Sequence, residues 1–270
     1  MTEQTATAPH RPGRSDGLSP LAELVRRHDR DRFQTVLFAP AARREALFAL
    51  YAFNFEIARV REVVREPMLG RIRLQWWREA IAAAYEGGMV RRHDVVEGLS
   101  AAIRAHRPDR AGFEALIDAR EADLEAPPAD LAALEAYAEA SSGRLCRLAA
   151  ELLGAGEPEA LAAADEVGTG YALAGLIRAM PFHAAAGRRY IAADAVPAVV
   201  RAAEAHLAAA RARRRAVPRP VLAALLPAIV ASGFLRRLRR AGGDPFAPAL
   251  ARPDPLQSWR LLAAALRNRY

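Results

Sequence analysis

Apolar residues recur at steps of three and four along most of this chain, the spacing that places them on one face of an α-helix. The pattern is clearest over 42–85, where two long amphipathic helices are predicted with a single break at Glu66-Pro67. On the first helix the shared face is apolar and aromatic as far as Tyr51, becomes polar at Asn54 and turns basic at Arg61. This gradient predicts a helix that enters the core and ends at the mouth of a cavity. An ordinary core helix with a solvated end has the same periodicity, so both interpretations stay open.

Proline and glycine divide the rest of the chain into further helical segments. The chain has no strand-like alternation and no internal repeat. We therefore expect an all-α protein, with one domain of about ten helices over residues 18–270. Residues 1–17 have no helical periodicity and are predicted to form a disordered tail. The predicted helices span residues 19–28, 42–65, 67–85, 93–106, 109–125, 130–153, 157–180, 195–215, 221–240 and 255–267.

The composition is strongly basic. The chain has 39 basic residues, all of them arginine, against 31 acidic residues, which gives a net charge of +8. Such an excess attracts phosphates or an anionic membrane surface, although a coding preference for arginine produces the same composition. Nucleic acid is not an expected partner, because neither aromatic platforms nor a recognisable nucleic-acid-binding module accompanies the charge.

Cysteine usage and hydropathy limit the chemistry and the location. The single cysteine, Cys146, excludes a disulfide within the chain and leaves no thiolate metal site. Neither a signal-peptide pattern nor an uninterrupted apolar run of transmembrane length is present. We therefore expect a cytoplasmic protein, either free or peripheral on the inner membrane.

Several segments also carry a family resemblance. Residues 47–64 (LFALYAFNFEIARVREVV) and 74–81 (LQWWREAI) resemble the opening of the squalene/phytoene synthase family, whose members join two isoprenoid diphosphates head to head. Residues 113–124, 134–154 and 168–191 resemble later segments of the same family and follow in the same order. The resemblance implies the isoprenoid synthase fold, a single helical bundle around a central cavity.

The resemblance also implies that this chain lacks part of the family's chemistry. Enzymes of the family ionise a diphosphate with Mg²⁺, which aspartates one turn apart hold on two facing helices. The positions that match the first aspartate-rich motif include Ala58 and Arg59, with Glu62 as the remaining acid, and those that match the second include Ala179 and His183. Arginine at such a position repels Mg²⁺. We therefore expect no cofactor.

A branch of the family has the same substituted signature, with AFN at 52–54 and Arg-Ala-Met-Pro-Phe-His at 178–183 in this chain. That branch includes an assembly factor for respiratory complex I. The resemblance therefore implies a non-catalytic protein that binds an isoprenoid or other lipid, a respiratory complex subunit or an anionic membrane surface. The candidate cavity residues are Tyr51, Asn54, Arg59, Glu62, Asp123, Tyr137, Arg178, His183, Arg188 and Tyr190.

Two alternatives stay open. In the first, the chain is an active, Mg²⁺-using prenyltransferase of the squalene/phytoene synthase type, in which arginines hold the diphosphate directly through bidentate contacts. The arginines of that site would be Arg59, Arg61, Arg178 and Arg188. In the second, the chain is a peripheral membrane adaptor whose segments 201–215 and 234–240 lie on anionic lipid. Ordinary solvated helix faces produce the same pattern in these two segments and are the simpler explanation of it.

Overall fold

The computed structural model describes residues 17–64, 66–125 and 127–270. These residues are largely helical, with no β-strand among them, which confirms the all-α prediction. The tail predicted at 1–17 lies outside the described residues as far as residue 16. In chain order the helices are α1 (Pro20–His28), α2 (Arg30–Val36), α3 (Ala41–Ala58), α4 (Val60–Val63), α5 (Pro67–Glu86), α6 (Asp94–His106), α7 (Arg110–Ala122), α8 (Leu131–Ala138), α9 (Arg144–Leu152), α10 (Pro158–Arg178), α11 (Met180–Ala185), α12 (Val196–Ala212), α13 (Leu222–Leu225), α14 (Pro227–Arg240), α15 (Pro248–Ala251) and α16 (Gln257–Leu266).

The first two helices follow each other with one residue between them. Ser19 caps α1 as predicted, because its hydroxyl accepts a hydrogen bond from the backbone N–H of Ala22 and Pro20 occupies the first helical position. Asp29 ends α1, and its carboxylate caps α2 by accepting from the N–H of Arg32 at 3.1 Å. Periodicity does not predict α2, because its seven residues are too few to repeat a face.

Several predicted helices are shorter than expected or are divided, and 221–240 forms α13 and α14 rather than one helix. The segment 42–65 is divided by a turn at Arg59 into α3 and α4, so the prediction of one continuous helix is wrong. The segment 157–180 ends its main helix at Arg178. Pro181 lies in the first turn of the short helix α11, a position where its missing N–H costs no hydrogen bond.

A π turn, Glu139–Gly143, joins α8 to α9 within the predicted helix 130–153. It lies directly against α10. A Cβ atom built at Gly168 of α10 would overlap the Ser142 carbonyl oxygen and lie 2.7 Å from the Gly143 Cα atom. Glycine at 168 is therefore required by the close approach of two backbones.

Helix α10 runs through the middle of the bundle and packs against α9, α12, α14 and the π turn. Helix α3 packs against α1, α6 and α9, and its Tyr51, Phe53 and Ile57 are fully buried. The aromatic core continues through Trp77 of α5 and Phe113 of α7, both of which contact the Phe53 ring edge to face. This aromatic core thus joins α3, α5 and α7.

One segment of the described chain, Arg219–Arg240, is long and apolar enough to cross a membrane. In the most apolar 18-residue stretch of this segment, 78% is buried inside the protein, which is characteristic of a core helix. Phe234 and Leu238 belong to that core, as does Leu207 of α12. The large apolar residues of 201–215 and 234–240 therefore pack inside the bundle, and only the polar faces of these segments are left for a membrane surface.

Candidate functional site

A buried polar network lies between α3, α7 and α8. Asp123 ends α7, and its Oδ2 atom accepts hydrogen bonds from Arg120 at 3.2 Å and from the Tyr137 hydroxyl at 2.9 Å. Arg120 also donates to the Tyr137 oxygen at 2.8 Å and approaches Asn54 Oδ1 at 3.5 Å. We call Asn54, Arg120, Asp123 and Tyr137 the inner network. It brings together three helices that are distant in the chain.

The local sequence explains how these side chains meet. Arg120 and Asp123 lie one turn apart at the end of α7, and Asn54 lies one turn beyond Tyr51 on α3. Burial opposes the charge of Arg120, but Tyr137 and Asp123 together raise its guanidinium pKa above the ordinary value. Burial also raises the pKa of Tyr137, so its hydroxyl stays protonated and donates to Asp123.

The sequence predicts three of the four residues in the inner network, and it misses Arg120. An arginine on an amphipathic helix usually faces solvent, so its burial is not evident from the chain alone. One feature of the sequence could have indicated Arg120: it lies three residues before Asp123, a spacing that allows an ion pair on one helix face.

A rim of charged and aromatic side chains continues from the inner network towards the surface. Gly187, at φ 68°, turns the chain after α11 so that the backbone N–H of Arg188 donates to the His183 carbonyl at 2.8 Å. The rings of His183 and Tyr190 are in contact, with centroids 4.7 Å apart, and Arg61 donates to the Tyr190 hydroxyl. His183, Arg188 and Tyr190 line a pocket of about 370 Å³.

The charges around His183 favour its neutral form. Burial lowers the pKa of its imidazole, and the positive charges of Arg188 and Arg61 lower this pKa further. Asp123 and the exposed Glu62 act in the opposite direction. The predicted residues Glu62, Asp123, His183 and Arg188 therefore lie close enough to interact in one region, where positive charge prevails at the histidine.

A second buried cluster surrounds Arg32 of α2, and we call it the Arg32 cluster. The Arg32 guanidinium forms an ion pair with Asp29 at 2.7 Å and donates to the Ser142 hydroxyl at 2.9 Å. It also lies over the rings of Tyr171 and Tyr51, at 4.8 and 5.6 Å from their centroids. Tyr51, a predicted cavity residue, thus belongs to this cluster, and it is 1% exposed.

Arg178, another predicted cavity residue, is held by α2. It forms an ion pair with Asp31 at 2.8 Å, and Asp31 also accepts hydrogen bonds from Tyr171 at 3.2 Å and Gln257 at 2.8 Å. Although burial alone opposes ionisation, Arg178 and these hydrogen bonds hold the pKa of Asp31 below its ordinary value. Arg178 and Asp31 border a groove of about 540 Å³ between α2, α14 and the C-terminal segment.

The arginines considered for a direct diphosphate site do not converge. Arg59 lies in the turn after α3, is partly exposed and pairs with Glu56 at 3.3 Å. Arg178 is held on α2 by its carboxylate partner, while Arg61 and Arg188 lie at the rim. The structure therefore places these four guanidinium groups in three separate surroundings.

The residues present do not fit a magnesium site. Mg²⁺ prefers oxygen ligands in octahedral geometry. Ala58, Arg59 and Ala179 offer no carboxylate, and the buried Asp123 is already paired with Arg120. Throughout the described ranges, no group of three or more His, Cys, Asp or Glu side chains could hold a metal ion. Ala58, Arg59 and Ala179, the residues that the resemblance matches to the family's metal positions, therefore supply no ligand for Mg²⁺.

The helical architecture and the order of its segments define the class of protein. The chain belongs to the squalene/phytoene synthase family, whose pattern matches residues 25–198. A squalene synthase of known structure, HpnC from Alicyclobacillus acidocaldarius, is similar with a TM-score of 0.73 and 21% identity, over 84% of this chain and 94% of that one. The likeness confirms the predicted isoprenoid synthase fold.

Two curated relatives show which members of the family the chain is similar to. The NADH dehydrogenase (ubiquinone) complex I assembly factor 6 of Bos taurus is 28% identical over 92% of this chain and 81% of its own length. Presqualene diphosphate synthase of Rhodopseudomonas palustris is 29% identical over 56% of this chain and 54% of its own length. These matches confirm the resemblance, predicted from the sequence, to both the family and its assembly-factor branch.

Proposed function

We propose that this protein is a non-catalytic member of its family that acts in the assembly of respiratory complex I by binding a partner protein or a lipid. The similarity to assembly factor 6 supports this role, because it extends over 92% of the chain, whereas the similarity to presqualene diphosphate synthase extends over 56%. The proposed place of action is the surface of the membrane that contains complex I.

The inner network is the observation that carries the proposal. When a prenyl diphosphate is ionised, the diphosphate leaves with several negative charges, and Mg²⁺ ions held by carboxylates normally neutralise them. Here the buried Asp123 is bonded to Arg120 at 3.2 Å, so its charge is compensated inside the protein. A magnesium ion at Asp123 would have to displace Arg120 and leave a buried guanidinium without its partner, which is costly. The network is therefore suited to joining helices rather than to ionising a substrate.

Deletion of the gene from its host tests the assembly role. We expect NADH:ubiquinone oxidoreductase activity and the amount of assembled complex I to fall, while squalene- and phytoene-type products stay unchanged. Complementation with the intact gene is the control for the deletion. Normal complex I with a loss of one isoprenoid product would overturn the proposal.

An assay of the purified protein tests the absence of catalysis separately. The protein is incubated with farnesyl or geranylgeranyl diphosphate, Mg²⁺ and NADPH, beside the presqualene diphosphate synthase of R. palustris as a positive control. We expect no product above that of heat-denatured protein. Formation of a squalene- or phytoene-type product would instead support the prenyltransferase alternative.

A further inference from the structure

Helix α16 has apolar side chains on two faces. Leu261 and Ala264 are buried, and the helix packs on α14. Trp259, Leu262 and Leu266 lie on another face at steps of three and four, and these residues are 69%, 38% and 74% exposed. One tryptophan and two leucines thus form an outer apolar face of α16 that the other described helices leave open to solvent.

A pocket of about 320 Å³ lies beside this face, between α12, α14 and α16. We call it the arginine pocket, because arginines from all three helices and from the residues after α16 line it. No acidic side chain occurs among its described lining residues. The arginines that line it are Arg211, Arg236, Arg260, Arg267 and Arg269.

Contacts within the protein compensate only part of this positive charge. Arg260 pairs with Asp254, and Arg211 donates to the Ser232 hydroxyl at 2.6 Å and to the main-chain oxygen of Tyr270 at 3.2 Å. Burial lowers the pKa of Arg236, and the neighbouring positive charge of Arg260 lowers this pKa further. Guanidinium groups that repel one another across a pocket are stabilised by an anion that binds between them.

An apolar helix face bordered by arginines has the chemistry of a surface that lies on anionic lipid. Tryptophan is favoured at the level of the lipid headgroups, where its ring is partly buried and its N–H is solvated. The planar guanidinium group binds phosphate through paired hydrogen bonds. The net charge of +8 adds a long-range attraction to the same partner.

A second exposed apolar patch, around the start of α5, does not have this charge pattern. It contains Met68, Leu69 and Ile72, which are all at least half exposed. The adjacent pocket is lined by both Glu56 and Arg73. Because charges of both signs border this patch, its charge does not indicate which kind of partner would bind there.

We propose that α16 and the arginine pocket dock this protein on the surface of a bilayer that contains anionic phospholipids. Trp259, Leu262 and Leu266 enter the boundary between headgroups and acyl chains, and the arginine pocket binds lipid phosphates. The docking requires only this surface, so it does not rest on the assembly role and holds whether or not that role is correct.

Vesicle flotation of the full chain tests the docking. We expect the protein to float with vesicles of phosphatidylcholine and phosphatidylglycerol, to float poorly with pure phosphatidylcholine, and to be released as the salt concentration rises. Three charges are removed from the pocket by the variant Arg236→Gln/Arg267→Gln/Arg269→Gln. Its affinity for the anionic vesicles should fall about fivefold for each arginine replaced.

A matched variant separates a local effect from the loss of net charge. Arg92, Arg104 and Arg201 are exposed and lie outside the arginine pocket. The variant Arg92→Gln/Arg104→Gln/Arg201→Gln should keep most of the vesicle binding, and thermal unfolding should show that both variants are folded. Equal losses in the two triple variants, or no binding of the unmodified chain to anionic vesicles, would overturn the proposal.

Fluorescence locates the apolar face in the bilayer. Lipids with brominated acyl chains should quench Trp259, and the variant Trp259→Phe should lose this quenching while it still floats with the vesicles. Quenching that is unchanged in Trp259→Phe would show that another surface enters the lipid. Binding of inorganic phosphate to the arginine pocket, together with no flotation on any vesicle, would identify a soluble anion as the ligand. This result would overturn the membrane proposal.

Discussion

Arg32 is buried and Arg120 is largely buried, with 15% of its side chain exposed, where a helical bundle usually has apolar side chains. Each guanidinium is paired with a carboxylate three residues away, Asp29 or Asp123, and each also contacts tyrosine. A buried charge is tolerated only while it is paired and hydrogen-bonded. These two residues therefore restrict which neighbours α2 and α7 can have, and add little stability beyond what apolar residues would supply.

Removal of one partner in the inner network should be strongly destabilising. We expect Asp123→Ala to lower the free energy of unfolding by about 3–5 kcal/mol, because it leaves Arg120 as a buried charge without its carboxylate. Urea denaturation measures the loss. In the double variant Arg120→Met/Asp123→Leu most of the stability should return, and a double variant as unstable as Asp123→Ala would contradict this account.

His183 should make the stability depend on pH below neutrality. Burial first, and then Arg188 and Arg61, hold the folded-state pKa of His183 below the value of about 6.5 for an unfolded chain. The unfolded state therefore binds the proton more readily, and the free energy of unfolding decreases as the pH falls below about 6.5. In the variant His183→Gln, the urea concentration at the midpoint of unfolding should decrease less between pH 7 and pH 5 than it does in the unmodified chain.

Another histidine provides the comparison for this pH dependence. Burial and Arg43 lower the pKa of His106 in the same direction, at a place far from the rim. The variant His106→Gln should remove a separate part of the decrease in the free energy of unfolding at low pH. The double variant His106→Gln/His183→Gln should therefore show the smallest pH dependence of stability. An identical pH profile for His183→Gln and the unmodified chain would contradict the neutral state assigned to His183.

At the scale of elements, the π turn between α8 and α9 packs directly against α10. The extra residue of a π turn interrupts the regular helix and moves its carbonyls out of register. The Ser142 carbonyl consequently lies against Gly168 with no room for a Cβ atom. Gly175 lies two turns further along α10, where nothing lies within 4 Å of a Cβ atom built there.

These two glycines of α10 form a matched pair of test sites. Gly168→Ala should destabilise the protein by about 1–3 kcal/mol, because backbone on both sides must move to admit the methyl group. Gly175→Ala should stabilise it by about 0.5–1 kcal/mol, because alanine has less backbone freedom to lose on folding. Thermal or urea unfolding measures both. A neutral effect of Gly168→Ala would show that α10 and the π turn are packed less closely.

At the scale of the whole molecule, Asp31 ties the C-terminal helix to the bundle. Its carboxylate accepts from Arg178 and Tyr171 of α10 and from Gln257 of α16. The helix that carries the outer apolar face is thus anchored to α2 and α10 through one charged group. This contact joins residues that are 226 positions apart in the chain.

Replacement of Asp31 should loosen this anchor in a pH-dependent way. Asp31→Asn should lower the free energy of unfolding by about 1–3 kcal/mol at pH 7, since it weakens charge-assisted hydrogen bonds. The folded-state pKa of Asp31 is lowered, so its contribution is present above about pH 3.9, the unfolded value, and is lost as the pH falls through the folded value. The difference in free energy of unfolding between Asp31→Asn and the unmodified chain should therefore become smaller below about pH 4. The variant Asp194→Asn, at an exposed position, is the control. A difference in free energy of unfolding between Asp31→Asn and the unmodified chain that stays constant down to pH 3 would contradict the lowered pKa of Asp31.

Several features could be predicted because they depend on residues close together in the chain. Proline has no backbone N–H and glycine tolerates left-handed backbone, so the ends of α5 at Pro67 and Gly87 are predicted directly. The turn at Gly187 and the cap at Ser19 follow in the same way. The interruption at Arg59 was not predictable, because no proline or glycine marks it and the apolar periodicity continues through it.

The all-α class, the family and the absence of carboxylates at Ala58 and Ala179 follow from the chain alone, because periodicity and residue identity do not depend on the fold. The packing of distant segments was needed to establish that Arg120 is largely buried, that Arg178 pairs with Asp31 and that Trp259 faces outwards. A helix has several faces, and the face that becomes buried depends on neighbours contributed by distant parts of the chain.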